Sequence, residues 1–312
     1  MKNILYIVKR EKSGCNYYDD TILYLKKKAN VKICKEPFVS SIENEGFNAD
    51  CIIIGFDVTN CSDNKPNLNM NNDLHIPLYI ILNKEYTGLD NKLNWIKEMN
   101  PKLCFSVHHD VEIYQKYTNV PFKRIMWSAN ETIFKKYDED YKYDLFFSGT
   151  IRKEQTDNLR YKIYQKKDEI KDYNLKLDVL FSDNGKTIFK TFKGNKKAYN
   201  YSNEEYAKIM NHSKICLVTT GPADLVGTRY FEISTSQKAM ILCNRMNKKI
   251  YGDMLIDGFN CVMFDDENDF IEKFKYYIHN EKERLQIVNN AYNHFINNLT
   301  WDHQINNIIC NL

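Results

Sequence analysis

Arg229 and Glu232 stand three residues apart in the segment Gly227-Thr-Arg-Tyr-Phe-Glu-Ile-Ser-Thr-Ser236. On a helix that spacing puts both side chains on one face. A guanidinium grips a diphosphate through paired hydrogen bonds. A carboxylate only accepts hydrogen bonds, which suits the donating hydroxyls of a ribose diol. With Gly227 and Thr228 at the helix opening, free backbone N–H groups and the positive end of the helix dipole complete an anion site. An Arg and a Glu at this spacing also form ordinary surface ion pairs, worth roughly a few tenths of a kcal/mol. Read for chemistry, the four residues predict a grip for a nucleoside diphosphate.

The elements that must position this grip alternate along the chain. Lys214 to Val218 reads as a buried strand, Thr219 to Asp224 as a loop, Gly227 onward as a helix, and Ala239 to Cys243 as the next strand. Upstream, Asn3–Val8, Ala49–Ile54, Leu78–Leu82, Leu103–Val107 and Arg124–Trp127 are short apolar runs, with a helix expected over Tyr18–Ala29. Further strands are expected at Leu145–Phe147, Leu175–Phe181 and Cys261–Phe264. Continuous apolar runs separated by helical patterns indicate α/β halves with mainly parallel sheets covered on both faces. The expected domains are residues 1–136 and 143–290, joined by the charged stretch Lys135 to Tyr143, with a C-terminal helix over 291–312 that packs back on the first domain. At 312 residues each half is long enough to bury its own core. Open α/β sheets bind ligands outside the carboxyl ends of their strands. That rule nominates Ser148 to Lys153, where Gly149 permits close backbone approach and Arg152 and Lys153 add charge, together with Thr219 to Arg229 and Asn244-Arg245.

Gly-Thr-Arg-Tyr-Phe-Glu232, the helix after it, and Ala239-Met-Ile-Leu-Cys-Asn-Arg245 resemble the donor-binding signature of group-1-like glycosyltransferases. The branch with an Arg-x-Phe-Glu core, that of the spore-maturation glycosyltransferases, is the most similar. Tyr143 to Thr150 resembles the first strand and glycine turn of the same domain; Gly258 to Asp266, Asp269 to Asn280, Glu281 to Leu299 and Thr300-Trp301 resemble its later elements. The resemblance implies the GT-B fold, two Rossmann-like domains facing across a cleft, with the nucleotide-sugar donor on the second. It implies that Gly227, Thr228 and Arg229 hold the donor's diphosphate and that Glu232 holds its ribose. Asp224 precedes Glu232 with seven residues between them, the spacing of the family's paired carboxylates, and leans toward retention of configuration. Many relatives carry Glu there, and an Asp capping its own helix is the alternative reading. The family's helix-closing glycine is absent from Ser236-Gln-Lys238; a Gln in a left-handed closing turn costs about 1 kcal/mol.

The first domain is then expected to bind the acceptor. Glu85, His108 and His109 lie at strand ends, where an imidazole or carboxylate can deprotonate a hydroxyl. Histidines in such loops are also commonly structural. His108-His-Asp110 suggests a metal by composition, but adjacent ligands on a strand face opposite ways, so no metal is expected. The family likewise implies no divalent ion and no cofactor, the nucleotide sugar being a substrate. Ser202-Asn-Glu-Glu205 is a capping box, and the Lys-rich stretch Lys186 to Lys197 reads as an exposed loop.

Composition excludes several classes. Lys and Arg number 44 against 41 Asp and Glu, a net charge of +3, so no nucleic-acid partner is implied. No apolar run is long enough to span a bilayer and no leader is expected. Nine cysteines without a Cys-x-x-Cys pair suit reduced thiols in a cytoplasmic protein. No Gly-x-Gly-x-x-Gly follows the first strand, which argues against a dehydrogenase. Two alternatives stay open: a non-catalytic nucleotide- or glycan-binding relative, and another two-Rossmann sugar-nucleotide enzyme such as an epimerase.

Overall fold

The computed structural model describes residues 1–9, 16–35, 47–59, 76–152, 158–183, 186–188, 201–221 and 224–312. These residues form two compact units. The first comprises Met1–Ser128, Gly221–Val226 and Trp301–Leu312; the second comprises Ala129–Thr220 and Gly227–Thr300.

The first unit holds a six-stranded sheet of β1 (Asn3–Val8), β2 (Asn30–Lys35), β3 (Cys51–Ile54), β4 (Leu78–Leu82), β5 (Leu103–Ser106) and β6 (Phe122–Arg124) in the order β2-β1-β3-β4-β5-β6. All five pairings are parallel. β3 and β4 are buried at every position, as continuous runs of Ile and Leu in a two-sided sheet require. Helices α1 (Asn16–Lys28), α2 (Leu89–Met99) and α3 (Val111–Thr118) accompany the sheet, and Leu93, Ile96 and Tyr114 join Ile52, Ile54, Ile80 and Cys104 in one core. Two features differ from expectation. β2 has no buried position, its ends exposed and its middle partly buried, so it lacked an apolar run to announce it. Strand β6 ends at Arg124, and the apolar residues Ile125–Trp127 lie beyond it.

The second unit holds β7 (Tyr143–Arg152), β8 (Leu175–Asp183), β9 (Lys186–Ile188), β10 (Ser213–Val218), β11 (Met240–Asn244) and β12 (Val262–Phe264) in the order β12-β11-β10-β7-β8-β9. All pairings are parallel except β8 with β9. Helices α4 (Leu159–Gln165), α5 (Asn203–Asn211), α6 (Arg229–Ser236), α7 (Lys248–Tyr251), α8 (Glu267–His279) and α9 (Glu281–Asn298) belong to this unit. Phe264 meets Phe270 edge-on and Phe270 stacks on Phe274 in the core, beside Leu145, Ile215 and Leu242. The capping box at the start of α5 is complete: Glu205 N donates to Ser202 Oγ and Ser202 N to Glu205 Oε2.

The charged stretch 135–143 is fastened within the second unit. Tyr137 N donates to Asn211 Oδ1, Tyr143 N to the His212 carbonyl, and the Tyr141 hydroxyl to the Lys238 carbonyl. α9 runs unbroken through residue 290, and its Phe295 packs edge-on against Phe231 of α6. The last helix, α10 (Trp301–Ile309), packs in the first unit. There Trp301 meets Tyr24, Lys28 pairs with Asp302 at 3.3 Å, and Met126 N donates to Gln304 Oε1 at 2.9 Å.

Candidate functional site

In the second sheet the chain runs outward from β7 through β8 to β9, then returns to β10 on the other side of β7. The crevice at such a reversal, beyond the carboxyl ends of the strands, is where open α/β sheets take their ligands. Arg229 opens α6 beside it and its Nη1 donates to the Ser148 carbonyl of β7 at 2.5 Å. The Ser148 hydroxyl in turn meets the Tyr206 hydroxyl of α5 at 2.8 Å. Burial raises the Tyr206 pKa; the Arg229 cation opposes that rise and the Glu232 carboxylate adds to it. Arg229, Glu232, Ser148 and Tyr206 are therefore one electrostatic cluster. Thr228 occupies the N-cap without a side-chain cap bond, which leaves the opening of α6 uncapped by its own sequence.

A second guanidinium at this crevice was not legible in the sequence. Arg160, in the first turn of α4, donates through Nε to Thr219 Oγ1, through Nη1 to the Thr150 carbonyl at 3.2 Å, and through Nη2 to the carbonyls of Thr219 and Thr220 at 3.3 and 3.2 Å. It ties the exit of β10 to β7. Thr220 is tied to β11 as well, its N–H donating to Asn244 Oδ1 at 3.1 Å. Only a fixed fork of donors could serve three carbonyls and a hydroxyl together.

Gly149 requires a correction. The expected glycine turn over Ser148–Lys153 is not a turn: β7 continues to Arg152, with Gly149 paired to Val179 and Arg152 to Ser182. A Cβ at Gly149 would lie 3.1 Å from Phe147 Cζ and 3.5 Å from Arg160 Nη1, so the glycine makes room for the Arg160 clamp. The Arg152 side chain and Lys153 lie outside what is described. Gly227 differs, because a Cβ there would meet nothing within 4 Å. The packing of the chain alone does not demand that glycine. Asp224 is exposed, with φ 55°, and stands four residues before the N-cap, so it does not cap α6. Gln237 does close α6 in the left-handed region, φ 53° and ψ 23°, in the conformation that favours glycine. Arg245, in another nominated loop, is committed to Asp257 at 2.6 Å and Asp265 at 2.8 Å.

In the first unit, β4 and β5 deliver a buried polar cluster at their carboxyl ends. Glu85 is buried, and its Oε1 accepts the Ser106 hydroxyl at 2.6 Å. Its Oε2 has no hydrogen-bond partner among the described residues. Burial raises the Glu85 pKa, opposed by the Ser106 bond, by His108 and by the ammonium of Lys92. Lys92 is itself buried, donating to the carbonyls of Asn83 and Lys84 at 2.8 and 2.9 Å. His108 N donates to Ser106 Oγ at 3.0 Å, and Asp110 N donates to His108 Nδ1 at 3.1 Å. The geometric reason given against a chelate does not hold. β5 stops at Ser106, so His108 and His109 do not point apart; their rings stack with centroids 4.1 Å apart at 24°. Candidate ligand atoms of His108, His109 and Asp110 lie within 4.8 Å of one another.

A family model described as glycosyl transferase-like matches residues 179–309, the stretch that carries Tyr206 and α6 with Arg229 and Glu232. No curated protein matches the chain. Among solved structures, Anabaena HepE in complex with UDP and glucose superposes with a TM-score of 0.60 at 11% identity, covering 100% of both chains. Sucrose-phosphate synthase from Thermosynechococcus elongatus gives 0.62 at 8% identity, covering 99% of this chain and 98% of that one. A glycosyltransferase from Rickettsia africae gives 0.58 at 9% identity, covering 99% and 97%. At these identities the likeness establishes the fold: two Rossmann-like domains of the GT-B class.

Proposed function

We propose that the protein is a glycosyltransferase that moves a sugar from a nucleoside-diphosphate sugar to an acceptor hydroxyl, in glycan or glycoconjugate synthesis. The observation that carries this reading is the pairing of Arg229 and Glu232 on one face of an uncapped helix at the sheet's reversal point. In this reading the diphosphate lies at the opening of α6, close to the bare Cα of Gly227, within reach of Thr228 and Arg229. Glu232 accepts from the ribose hydroxyls. As the bond from the anomeric carbon to the diphosphate oxygen breaks, the Arg229 cation and the helix N–H groups stabilise the charge left on the diphosphate. The acceptor oxygen forms the new bond to that carbon and gives up its proton, for which His109 is the first-domain candidate. Asp224 and Glu232 keep the family's spacing, and retention of configuration is the stereochemical proposal. The donor itself is the only small molecule required; neither a cofactor nor a divalent ion takes part.

HepE has been seen with UDP and with UDP-glucose, and TarM of S. aureus with UDP, so uridine diphosphate is the first ligand to offer. The test is a thermal-shift series with UDP, GDP, ADP, CMP and their common sugars in the absence of metal. One nucleoside diphosphate should raise the melting temperature by mass action, and Glu232→Ala should abolish the rise. No shift with any of them would overturn the donor site.

A further inference from the structure

Two neighbouring threonines at the exit of β10 are held so that their hydroxyls donate outward. Thr219 Oγ1 accepts from Arg160 Nε, and a guanidinium has no acceptor, so the hydroxyl hydrogen of Thr219 points elsewhere. Thr220 is fixed by a longer chain. Its N–H donates to Asn244 Oδ1 at 3.1 Å, which orients the carboxamide so that Asn244 Nδ2 faces Thr220 Oγ1 and donates to it at 3.4 Å. Behind Asn244, the Tyr251 hydroxyl donates to the Asn244 carbonyl at 2.8 Å. Its single hydrogen is thereby used, so the Tyr230 hydroxyl, 3.2 Å away, donates to Tyr251. Tyr230, Tyr251 and Asn244 are all buried, and each hydrogen in the relay points one step nearer to Thr220. Both threonines are half-buried, and neither hydroxyl meets an acceptor among the described residues.

The same place carries two guanidiniums. Arg229 takes the Ser148 carbonyl and Arg160 the Thr150 carbonyl, and carbonyls two apart on a strand face the same edge. The ladder between β10 and β7 runs to the pair Cys216 and Phe146, so the threonines and both arginines gather just past its end. We propose that the Thr219 and Thr220 hydroxyls donate to oxygens of the donor's diphosphate, and that Arg160 and Asn244 are positioning residues that turn those hydroxyls outward. This deepens the donor-site reading above and rests on it for the identity of the ligand. Hydroxyls already supplied with a donor suit ionised phosphate oxygens, which only accept. The nearness of Arg229, whose charge matches the diphosphate, favours that part of the nucleotide over the base.

The probes are UDP and inorganic pyrophosphate, titrated into the full chain by calorimetry, with a melting curve for each variant to confirm that it is folded. Thr219→Val and Thr220→Val keep the shape of the side chain and remove the donor. Each should weaken both probes on the order of 10- to 100-fold, as loss of a hydrogen bond to a charged group does. Asn244→Asp separates positioning from a merely structural role. There a carboxylate oxygen replaces the amide donor, so the Thr220 hydroxyl turns inward and loses its outward hydrogen. In that background Thr220→Val should cost no further affinity, whereas Thr219→Val should cost as much as it does alone. Full loss from Thr220→Val in the Asn244→Asp background overturns the proposal, as does wild-type affinity in both valine variants. Weakened UDP with unchanged pyrophosphate also overturns it, because the hydroxyls then read the base or the ribose. If Glu232→Ala abolishes UDP binding while the valine variants keep it, the donor-site reading stands and this proposal falls. If pyrophosphate binds through the two hydroxyls but no nucleoside diphosphate binds, the anion seat stands and the glycosyltransferase reading falls. If the wild type binds neither probe, both fall.

Discussion

Replacing Gln237 by glycine should stabilise the second domain without touching its chemistry. Gln237 closes α6 with φ 53° and ψ 23°, where an L side chain crowds the following carbonyl. That crowding costs about 1–2 kcal/mol, which glycine escapes. Glycine gives back about 0.5–1 kcal/mol through the greater freedom of its unfolded chain. Taken at the middle of both ranges, the difference is a net gain of about 0.75 kcal/mol. For a domain of ordinary size, 1 kcal/mol moves the melting temperature by ~2–4 °C, so the expected rise is about 1–4 °C. Scanning calorimetry on the full chain reads it directly, and Gln237→Ala, which keeps the Cβ, is the control. The residue lies at the far end of α6 from Arg229, so binding of a nucleoside diphosphate should not change. A glycine variant that melts no higher, or an alanine variant that gains as much, would refute the account of strain. A gain accompanied by weakened nucleotide binding would show that the closing turn sets the pitch of the helix and with it the place of Arg229.

Arg229→Ala should reduce kcat/KM for sugar transfer on the order of 100- to 1000-fold, as loss of one charge-stabilising donor does, and wild-type turnover in that variant would remove the donor site from α6. Gly227→Ala should melt like the wild type, because its Cβ meets nothing within 4 Å, yet bind UDP more weakly; equal binding would show that no ligand comes close to that Cα. Transfer should persist in excess EDTA, and its loss, restored by a divalent ion, would make His108, His109 and Asp110 a metal site. The raised Glu85 pKa sets a sign for stability against pH. The native state holds that proton longer than the unfolded chain, so the contribution is complete below the ordinary carboxylate range and is lost as pH rises through the raised value. Glu85→Gln should therefore gain on the wild type as pH rises across that window in denaturant titrations; a constant difference would mean Glu85 is ionised throughout.

What could be read from the chain followed from how strongly each element declares itself locally. Buried parallel strands such as Cys51–Ile54 and Leu78–Leu82 are runs of apolar residues, and the opening of α6 carries its chemistry within six residues. Arg160 had no such signal. Its partners lie 10 residues upstream and 59 and 60 residues downstream, and a lone Arg in the first turn of a helix reads as a solvated side chain until the sheet brings Thr150, Thr219 and Thr220 to it. Tyr206 was similarly hidden, next to a capping box that explains its neighbours without it. The histidine pair shows the opposite failure, since both rings lie beyond the end of the strand whose alternation would oppose them. Alternation of faces holds only while the strand lasts, and β5 ends at Ser106. The residue that ends it supplies the reason: Ser106 turns its hydroxyl to Glu85 and accepts the His108 N–H, so the chain leaves the sheet through a side-chain bond in place of a ladder bond. Removing that hydroxyl should therefore do more than lower stability. It should let His108 and His109 regain the opposed orientation that alternation predicts, and the loss of their mutual ring-current shift in Ser106→Ala would be its mark.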